Sequence, residues 1–107
     1  MTICRVTQFK IPSEEGQKQL LEVYSGMQRK ALKDGKPYIL SVRAGSTVDD
    51  PRRQGYTVAV VTEFASMEDM EYYDTECVAH KNLKVVAGKV HEGVMTAFFE
   101  PIAMSNL

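Results

Sequence analysis

The segment from Tyr56 to Phe64 constrains the fold more than any other part of this chain. It reads Tyr-Thr-Val-Ala-Val-Val-Thr-Glu-Phe, a run of strand-forming residues that is largely apolar on both faces. A strand of this kind lies in the interior of a sheet and needs cover above and below it. The chain therefore has to supply a sheet with both faces buried.

A first helix is predicted from Glu14 to Lys33. Ser13 is a favourable N-cap, and the two glutamates that follow it suit the positive end of the helix dipole. The apolar stripe recurs at intervals of three and four residues and consists of Leu20, Val23, Tyr24, Met27 and Ala31. The segment Asp34-Gly35-Lys36-Pro37 then predicts the end of the helix.

A second helical region begins at Ser66-Met67-Glu68-Asp69, which resembles a capping box with Asp in place of the usual Glu. It is predicted to break near Asp74 to Cys77 and to resume through His80 to Ala87. Gly88 is expected to close it in the left-handed conformation. Two helical regions can cover only one face of a four-stranded sheet.

Three further segments show the alternation that is typical of strands, namely residues 2–10, 38–44 and 90–100. In the first, one face carries Ile3, Arg5, Thr7 and Phe9. In the second, one face carries Tyr38, Leu40, Val42 and Ala44. The order strand, helix, strand, strand, helix, strand predicts a single α+β domain over residues 1–107, with a ferredoxin-like βαββαβ fold and a four-stranded antiparallel sheet.

The sheet face that the helices leave open is expected to carry apolar side chains. They are Ala59, Val61, Met95, Ala97 and Phe99. A monomer would leave these groups in water, whereas the same face of a second copy would cover them. The sequence therefore predicts a homodimer that forms through the open sheet face.

Charge and cysteine content narrow the expected partners and location. Thirteen basic and fourteen acidic residues leave a net charge of -1, which provides no broad positive surface for nucleic acid or anionic lipid. No apolar run approaches the length of a membrane span, and the first residues lack the apolar core of a signal peptide. Cys4 and Cys77 are too few for a disulfide framework or a zinc site. We expect a cytoplasmic protein that binds a small molecule, with neither nucleic acid nor membrane as a partner.

Proton-transfer chemistry is concentrated in residues 72–80. His80 can act as a general base, and a phenol beside it, from Tyr72 or Tyr73, can orient a substrate oxygen. The structural alternative is a histidine bonded to backbone at a helix start beside a packed tyrosine ring. Cys77 suggests a thiolate nucleophile, but no third group is evident to orient it.

Arg5 lies in the middle of a strand among apolar neighbours, where a guanidinium must be paired or must bind an anion. A substrate carboxylate is one candidate partner, and Asp74 or Glu92 are the structural alternatives. His91 is expected to be solvated, and Met27 to lie in the core or line a pocket. The two histidines are eleven residues apart, with no carboxylate at helical spacing, so no metal site is predicted.

Four short motifs occur in a characteristic order along the chain. They are Arg5-Val6-Thr7-Gln8-Phe9-Lys10, then Gly55-Tyr56-Thr57, then Glu63-Phe64-Ala65-Ser66-Met67-Glu68-Asp69, and finally Tyr72-Tyr73 ahead of Ala79-His80. In this order and spacing they resemble the stress-responsive A/B barrel (Dabb) domains of the dimeric α+β barrel superfamily, from about Ile3 to Glu100. The resemblance implies a homodimer with a central barrel of two sheets, and a small apolar pocket between sheet and helices in each protomer.

The resemblance also implies catalytic residues. The family includes polyketide cyclases of the plant olivetolic acid cyclase type, which close a linear polyketide by intramolecular aldol condensation without a cofactor. In these enzymes a helix tyrosine and the histidine of the Ala-His pair do the acid/base work. By motif the histidine is His80 and the tyrosine is Tyr73, with Tyr72 as the second candidate.

Two positions depart from the cyclase pattern and leave the substrate open. Arg5 and Val58 stand where relatives have histidines, and both are assigned to the substrate pocket together with Tyr72 and Met27. The resemblance thus implies a small cofactor-independent enzyme of polyketide cyclase, aldol or isomerase type, acting on an apolar, oxygen-rich molecule. The alternative is a non-catalytic stress-responsive dimer or small-ligand-binding protein.

Overall fold

The computed structural model of the chain describes residues 1–103 and consists of a four-stranded antiparallel sheet with helices packed on one face. The elements are β1 (Ile3–Lys10), α1 (Glu14–Ser25), α2 (Met27–Lys30), β2 (Leu32–Lys33), β3 (Lys36–Pro37), β4 (Ile39–Ser46), a 3-10 turn (Pro51–Arg53), β5 (Val58–Phe64), α3 (Met67–Thr75), α4 (Val78–Val90) and β6 (Gly93–Phe99). The sheet order is β4-β5-β1-β6, and β2 and β3 form a separate hairpin. The predicted ferredoxin-like α+β fold is confirmed. The predicted domain extended to residue 107, and its last four residues lie outside the described part.

The two inner strands bury the side chains that face the helices. β5 pairs with both β4 and β1, as its two-sided apolar pattern predicts. On β1 the buried residues alternate with partly exposed ones along the whole strand, and the buried set is Ile3, Arg5, Thr7 and Phe9. The predicted facing of β1 is therefore confirmed, and it places one charged side chain, Arg5, beneath the helices.

β4 departs from simple alternation because it contains a bulge. The pairing with β5 shifts between Ile39 and Ser41, so Leu40 is the extra residue and remains exposed. Ile39 and Val42 then both pack toward the helices. The prediction that placed Leu40 with Val42 on one face is wrong, because one extra residue reverses the alternation that follows it.

The first helix is shorter than predicted. It is interrupted at Gly26, between α1 and α2, and ends at Lys30, because Ala31 adopts an extended backbone. Asp34 and Gly35 both have positive φ and join β2 to β3, as an Asp-Gly pair does in a tight hairpin. The expectation of helix as far as Lys33 is therefore wrong, whereas the apolar stripe is confirmed, with Leu20, Tyr24, Met27 and Ala31 fully buried.

The second helical region does break where predicted, between α3 and α4. Gly88 does not close α4, however, since the helix continues to Val90 and Gly88 is not in the left-handed region. Val90 packs against the core, and Gly16 on α1 leaves room for its side chain. This packing favours two further helical residues, so the last strand begins at Gly93 and not at residue 90.

Among the described residues, nothing covers the sheet face opposite the helices. Val61, Met95 and Phe99 on this face are 39%, 38% and 50% exposed. The helices also stop short of the edge strand β6, where Val94 and Phe98 on the helix side are about half exposed.

Within residues 1–103, no helix combines the length and the apolar character that crossing a membrane would require.

Candidate active site

A cavity of about 250 Å³ lies between α4 and the strands β1 and β6. It is lined by Arg5, Thr7, Phe9, Tyr24, His80, Leu83, Lys84, Ala87, His91, Val94 and Thr96. Two larger grooves, of about 610 and 490 Å³, lie along the helices and are lined mainly by surface side chains. The cavity of about 250 Å³, formed by residues within the described range 1–103, brings the buried His80 and the buried Arg5 together, so it is the candidate site.

His80 is the buried imidazole of this cavity. It lies in the first turn of α4, is 3% exposed, and its Nδ1 lies 2.8 Å from the backbone oxygen of Tyr73. A carbonyl oxygen only accepts hydrogen bonds, so Nδ1 carries the proton and Nε2 keeps its lone pair. Burial, with smaller contributions from Arg5 and Lys84, lowers the pKa of His80 to about 4. His80 is therefore a neutral base at pH 7.

The lowered pKa of His80 predicts a loss of stability in acid. The unfolded imidazole titrates near 6.5 and the folded one near 4, so between these values the unfolded chain binds a proton that the folded chain does not. The stabilisation is fully present above pH 6.5 and is lost as the pH falls toward 4, by about 3 kcal/mol in all. Urea unfolding at pH 7, 5.5 and 4.5 measures it. His80→Asn cannot titrate there and should show a smaller decrease, and equal decreases in both proteins would contradict the prediction.

Tyr73 forms the wall behind His80. Its ring stacks on the imidazole with centroids 3.7 Å apart and planes within 10°, and Phe64 packs against it at 5.2 Å. Tyr73 is 1% exposed, and burial raises the pKa of its phenol far above the usual value. Its hydroxyl has no hydrogen-bond partner among residues 1–103, and Tyr73 does not line the cavity. The ring thus fixes the plane of His80, while the hydroxyl stays inside the core.

Tyr24 is the phenol that does line the cavity, although its sequence pattern predicts only a place in the apolar stripe of the first helix. Burial raises its pKa to about 12, with Arg5 acting in the opposite direction. Tyr24 therefore remains protonated and can donate a hydrogen bond to a ligand oxygen. Its spacing matches the core residues of α1, so no signal in the sequence separates it from them.

Arg5 is held by two contacts on its terminal nitrogens. Nη2 donates to Oδ1 of Asp74 at 3.0 Å, and Nη1 donates to the hydroxyl of Thr7 at 2.9 Å. Of the structural partners considered, Asp74 is the one found, and Glu92 is exposed on the loop before β6. Nε of Arg5 is buried and has no partner within the described chain. Arg5 thus keeps hydrogen-bonding capacity at the cavity wall.

His91 also lines the cavity, so the expectation that it is solvated is wrong. Because α4 extends to Val90, His91 caps its end and packs on Phe9 with ring centroids 5.8 Å apart. Its Nδ1 is buried and lacks a partner among residues 1–103. Thr7 and Thr96 add hydroxyl groups to the cavity wall, 3.3 Å apart between β1 and β6.

The remaining predicted site residues do not line the cavity. Tyr72 donates its hydroxyl hydrogen to the backbone oxygen of Leu32 at 3.1 Å. Val58 and Met27 lie in the core and are 0% and 2% exposed. Cys77 is a fully buried free thiol at the start of α4. Of the predicted set, the structure therefore brings His80 and Arg5 to the cavity and places Tyr73 directly behind it.

The described residues form no group that is typical of a metal site. Across residues 1–103, no three His, Cys, Asp or Glu side chains are grouped as they would be to hold a metal ion.

Among curated proteins, the "Fusaristatin A biosynthesis cluster protein" of Gibberella zeae is 51% identical over 100 residues, covering 92% of this chain and 72% of that protein.

Solved structures share the fold at low identity. The hydroxynitrile lyase of Passiflora edulis superimposes with a TM-score of 0.77 at 14% identity, covering 97% of both chains. A dimeric ferredoxin-like protein of unknown function from Jannaschia gives a TM-score of 0.74 at 11% identity, covering 94% of this chain and all of that one. The family model described as "Stress Responsive A/B Barrel Domain" matches residues 3–100. The chain therefore belongs to the stress responsive A/B barrel domain family.

Proposed function

We propose that this protein is a small cofactor-independent enzyme that removes an acidic proton from an apolar, oxygen-rich molecule, in a reaction of the polyketide cyclase, aldol or isomerase type. The observation that carries the proposal is the state of His80. It is neutral, its Nδ1 proton is committed to the Tyr73 carbonyl, and its Nε2 has no hydrogen-bond partner among residues 1–103, while the side chain lines the cavity. Such a base needs no metal when the proton lies between two carbonyl groups.

The proposed reaction begins with transfer of that proton from carbon to Nε2 of His80. The electron pair of the C–H bond moves onto the adjacent carbonyl oxygen and forms an enolate, to which Tyr24 can donate a hydrogen bond. In a cyclisation, the enolate carbon attacks a second carbonyl of the same molecule and forms a carbon–carbon bond. The imidazolium then returns its proton to the new alkoxide, so His80 ends as it began.

Tyr73 remains in this proposal as the residue that positions the base. Its ring stacks on the imidazole and its backbone oxygen accepts the Nδ1 proton, so it fixes both the plane and the tautomer of His80. Its hydroxyl lies inside the core without a partner among residues 1–103, so Tyr73 acts on the substrate through His80. Tyr24 is the better placed of the two phenols, because it lines the cavity.

The relatives support an enzyme of secondary metabolism. The curated relative is named for the biosynthesis cluster of fusaristatin A, and one protein that shares the fold is a hydroxynitrile lyase.

A cytoplasmic setting, where thiols stay reduced, is also part of the proposal, because Cys4 and Cys77 are both free.

Proton exchange tests the proposal without knowledge of the natural substrate. Ethyl 3-oxohexanoate has an acidic methylene between two carbonyls and about the size that the cavity holds, on the order of ten heavy atoms. In deuterium oxide, the protein should accelerate loss of the methylene signal in proton NMR above the buffer rate. A rate equal to that of buffer at saturating ester would overturn the enzyme proposal in favour of a non-catalytic ligand-binding or stress-responsive domain.

A homodimer through the open sheet face is also part of the proposal. Its support is the exposed apolar set of Val61, Met95 and Phe99, together with the dimeric protein from Jannaschia that shares the fold. Burying this face against a second copy removes apolar surface from water.

Val61→Glu is expected to convert the dimer to a monomer, because two like charges would meet apolar groups across the interface. Light scattering after size-exclusion chromatography at micromolar concentration measures the mass. Val85→Glu, on the exposed side of α4, is the matched control and should remain dimeric. A monomeric parent protein, or a dimeric Val61→Glu, would contradict this interface.

A further inference from the structure

We propose that the cavity recognises a free carboxylate, so that the preferred ligand is an organic acid with an alkyl or aryl tail. The catalytic part of this inference rests on the proposed function, and the binding part does not. Arg5 is the residue that would hold the carboxylate. A guanidinium has five N–H donors, and two of them are used by Asp74 and Thr7. The Nε of the same guanidinium is buried and has no partner among residues 1–103.

The charges around the cavity favour an anion. Arg5 and Lys84 line it, and none of its lining residues is an aspartate or a glutamate. Lys84 donates to the backbone oxygen of Asp74 at 3.0 Å, which holds its ammonium group close to Arg5. Asp74 contacts Arg5 without lining the cavity, and His80 is neutral. The described cavity wall therefore carries an excess of positive charge, which a carboxylate would neutralise.

The two ends of the cavity differ in polarity. Arg5, His80 and Lys84 lie toward one end, because each is close to Asp74. The distances to Asp74 are 3.0 Å from Arg5, 3.8 Å from His80 and 3.0 Å from Lys84. Phe9 pairs with Val94 and packs on His91, and with Ala87 these residues form the other end. Arg5 and Phe9 are four strand residues apart, or about 13 Å. A ligand of this length has its carboxylate at Arg5 and a tail of about six to eight carbons toward Val94.

This placement has a consequence for the chemistry. A carboxylate held by Arg5 brings the carbon next to it beside His80, since both side chains lie at the same end of the cavity. The proton removed would be one on C2, the carbon between the carboxylate and the 3-oxo group. We therefore infer that a free 3-oxo acid is preferred over the corresponding ester, amide or thioester.

Paired neutral and charged probes test the binding. Octanoate and octanamide have the same number of heavy atoms and differ in charge. Calorimetric titration at pH 7 should give about tenfold or more tighter binding of octanoate, because hydrogen bonds to a charged group are the stronger kind. In Arg5→Gln this preference should fall to about twofold or less, and Arg5→Lys should restore part of it. Equal affinities in the parent protein would overturn the inference.

Lys84 gives a second variant at an exposed position where folding is not at risk. Lys84→Gln should reduce the octanoate preference several-fold, whereas Lys81→Gln, on the same helix but outside the cavity lining, should leave it unchanged. Asp74→Asn removes the competing carboxylate and should strengthen octanoate binding. An unchanged preference in folded Arg5→Gln and Lys84→Gln would overturn the inference. Proton exchange on the neutral ester reports separately on His80, so the two proposals fail independently.

Discussion

Replacing His80 by asparagine is expected to lower the protein-catalysed proton exchange of ethyl 3-oxohexanoate by roughly 10² to 10⁴-fold. The asparagine amide can still donate to the Tyr73 carbonyl, as Nδ1 does at 2.8 Å, but it has no basic nitrogen. The loss should therefore appear in the exchange rate at saturating ester more than in ester affinity. Exchange measured by proton NMR, with circular dichroism of the variant, checks both points.

The control for this change is Lys81→Gln, which alters the next residue of the same helix on its exposed side. Its exchange rate should match that of the parent protein. The pH profile gives an independent signature, because only neutral His80 accepts a proton. The rate should be flat above about pH 5 and fall as the pH drops through the His80 pKa of about 4. A His80→Asn protein with parental exchange would remove His80 from the mechanism.

The two phenols near the base refine the same prediction. Tyr24→Phe should lower the exchange rate by up to about 10²-fold, because it deletes a donor that lines the cavity. Tyr73→Phe deletes a buried hydroxyl without a partner in the described chain, so stability should be unchanged or slightly higher. A larger rate loss in Tyr73→Phe than in Tyr24→Phe would assign the direct contact with the substrate to Tyr73.

Phe64→Ala is expected to destabilise the protein by about 3 to 5 kcal/mol. Phe64 is fully buried on the central strand β5, and its ring packs against those of Tyr73 and Tyr38 at 5.2 and 6.3 Å. Removing it leaves a cavity under the aromatic stack that holds His80, so proton exchange should fall as well. Urea unfolding monitored by circular dichroism measures the free energy of unfolding.

Val85→Ala is the matched control for this truncation. Val85 is 59% exposed on α4, and alanine has the higher helix propensity, so the free energy of unfolding should change by less than about 0.5 kcal/mol. A Phe64→Ala protein destabilised by less than about 1 kcal/mol would contradict the packing described here, because no truncated core phenylalanine that leaves an unfilled cavity is that mild.

The arrangement of layers was readable from the sequence, because it depends on local periodicity. The two-sided apolar pattern of residues 56–64 predicted an interior strand, and the alternation in β1 correctly placed Arg5 on the buried face. The errors lie at element ends and at the bulge in β4. The first helix stops at Lys30 and α4 continues to Val90, because tertiary packing outweighs the weak local preference at a glycine or a helix terminus.

The composition of the site was only partly readable. The cluster of ionisable side chains in residues 72–80 predicted a role for His80, and the mid-strand position predicted one for Arg5. Both side chains line the cavity. It could not separate Tyr24 from the core residues of α1, because a phenol with its ring buried has the same spacing whether its hydroxyl meets a cavity or another side chain. It also assigned pocket roles to Val58 and Met27, which lie in the core.

The sequence by itself determined which side chains of β1 face the helix layer and that one buried position there carries a positive charge. Only the tertiary structure decided that this charge, on Arg5, meets Asp74 across 69 residues of chain, and that His80 is neutral with its Nδ1 bonded to the Tyr73 carbonyl. The physical reason is that periodicity specifies the direction of a side chain from its own element. Its partner, its burial depth and hence its pKa depend on which other elements pack against it.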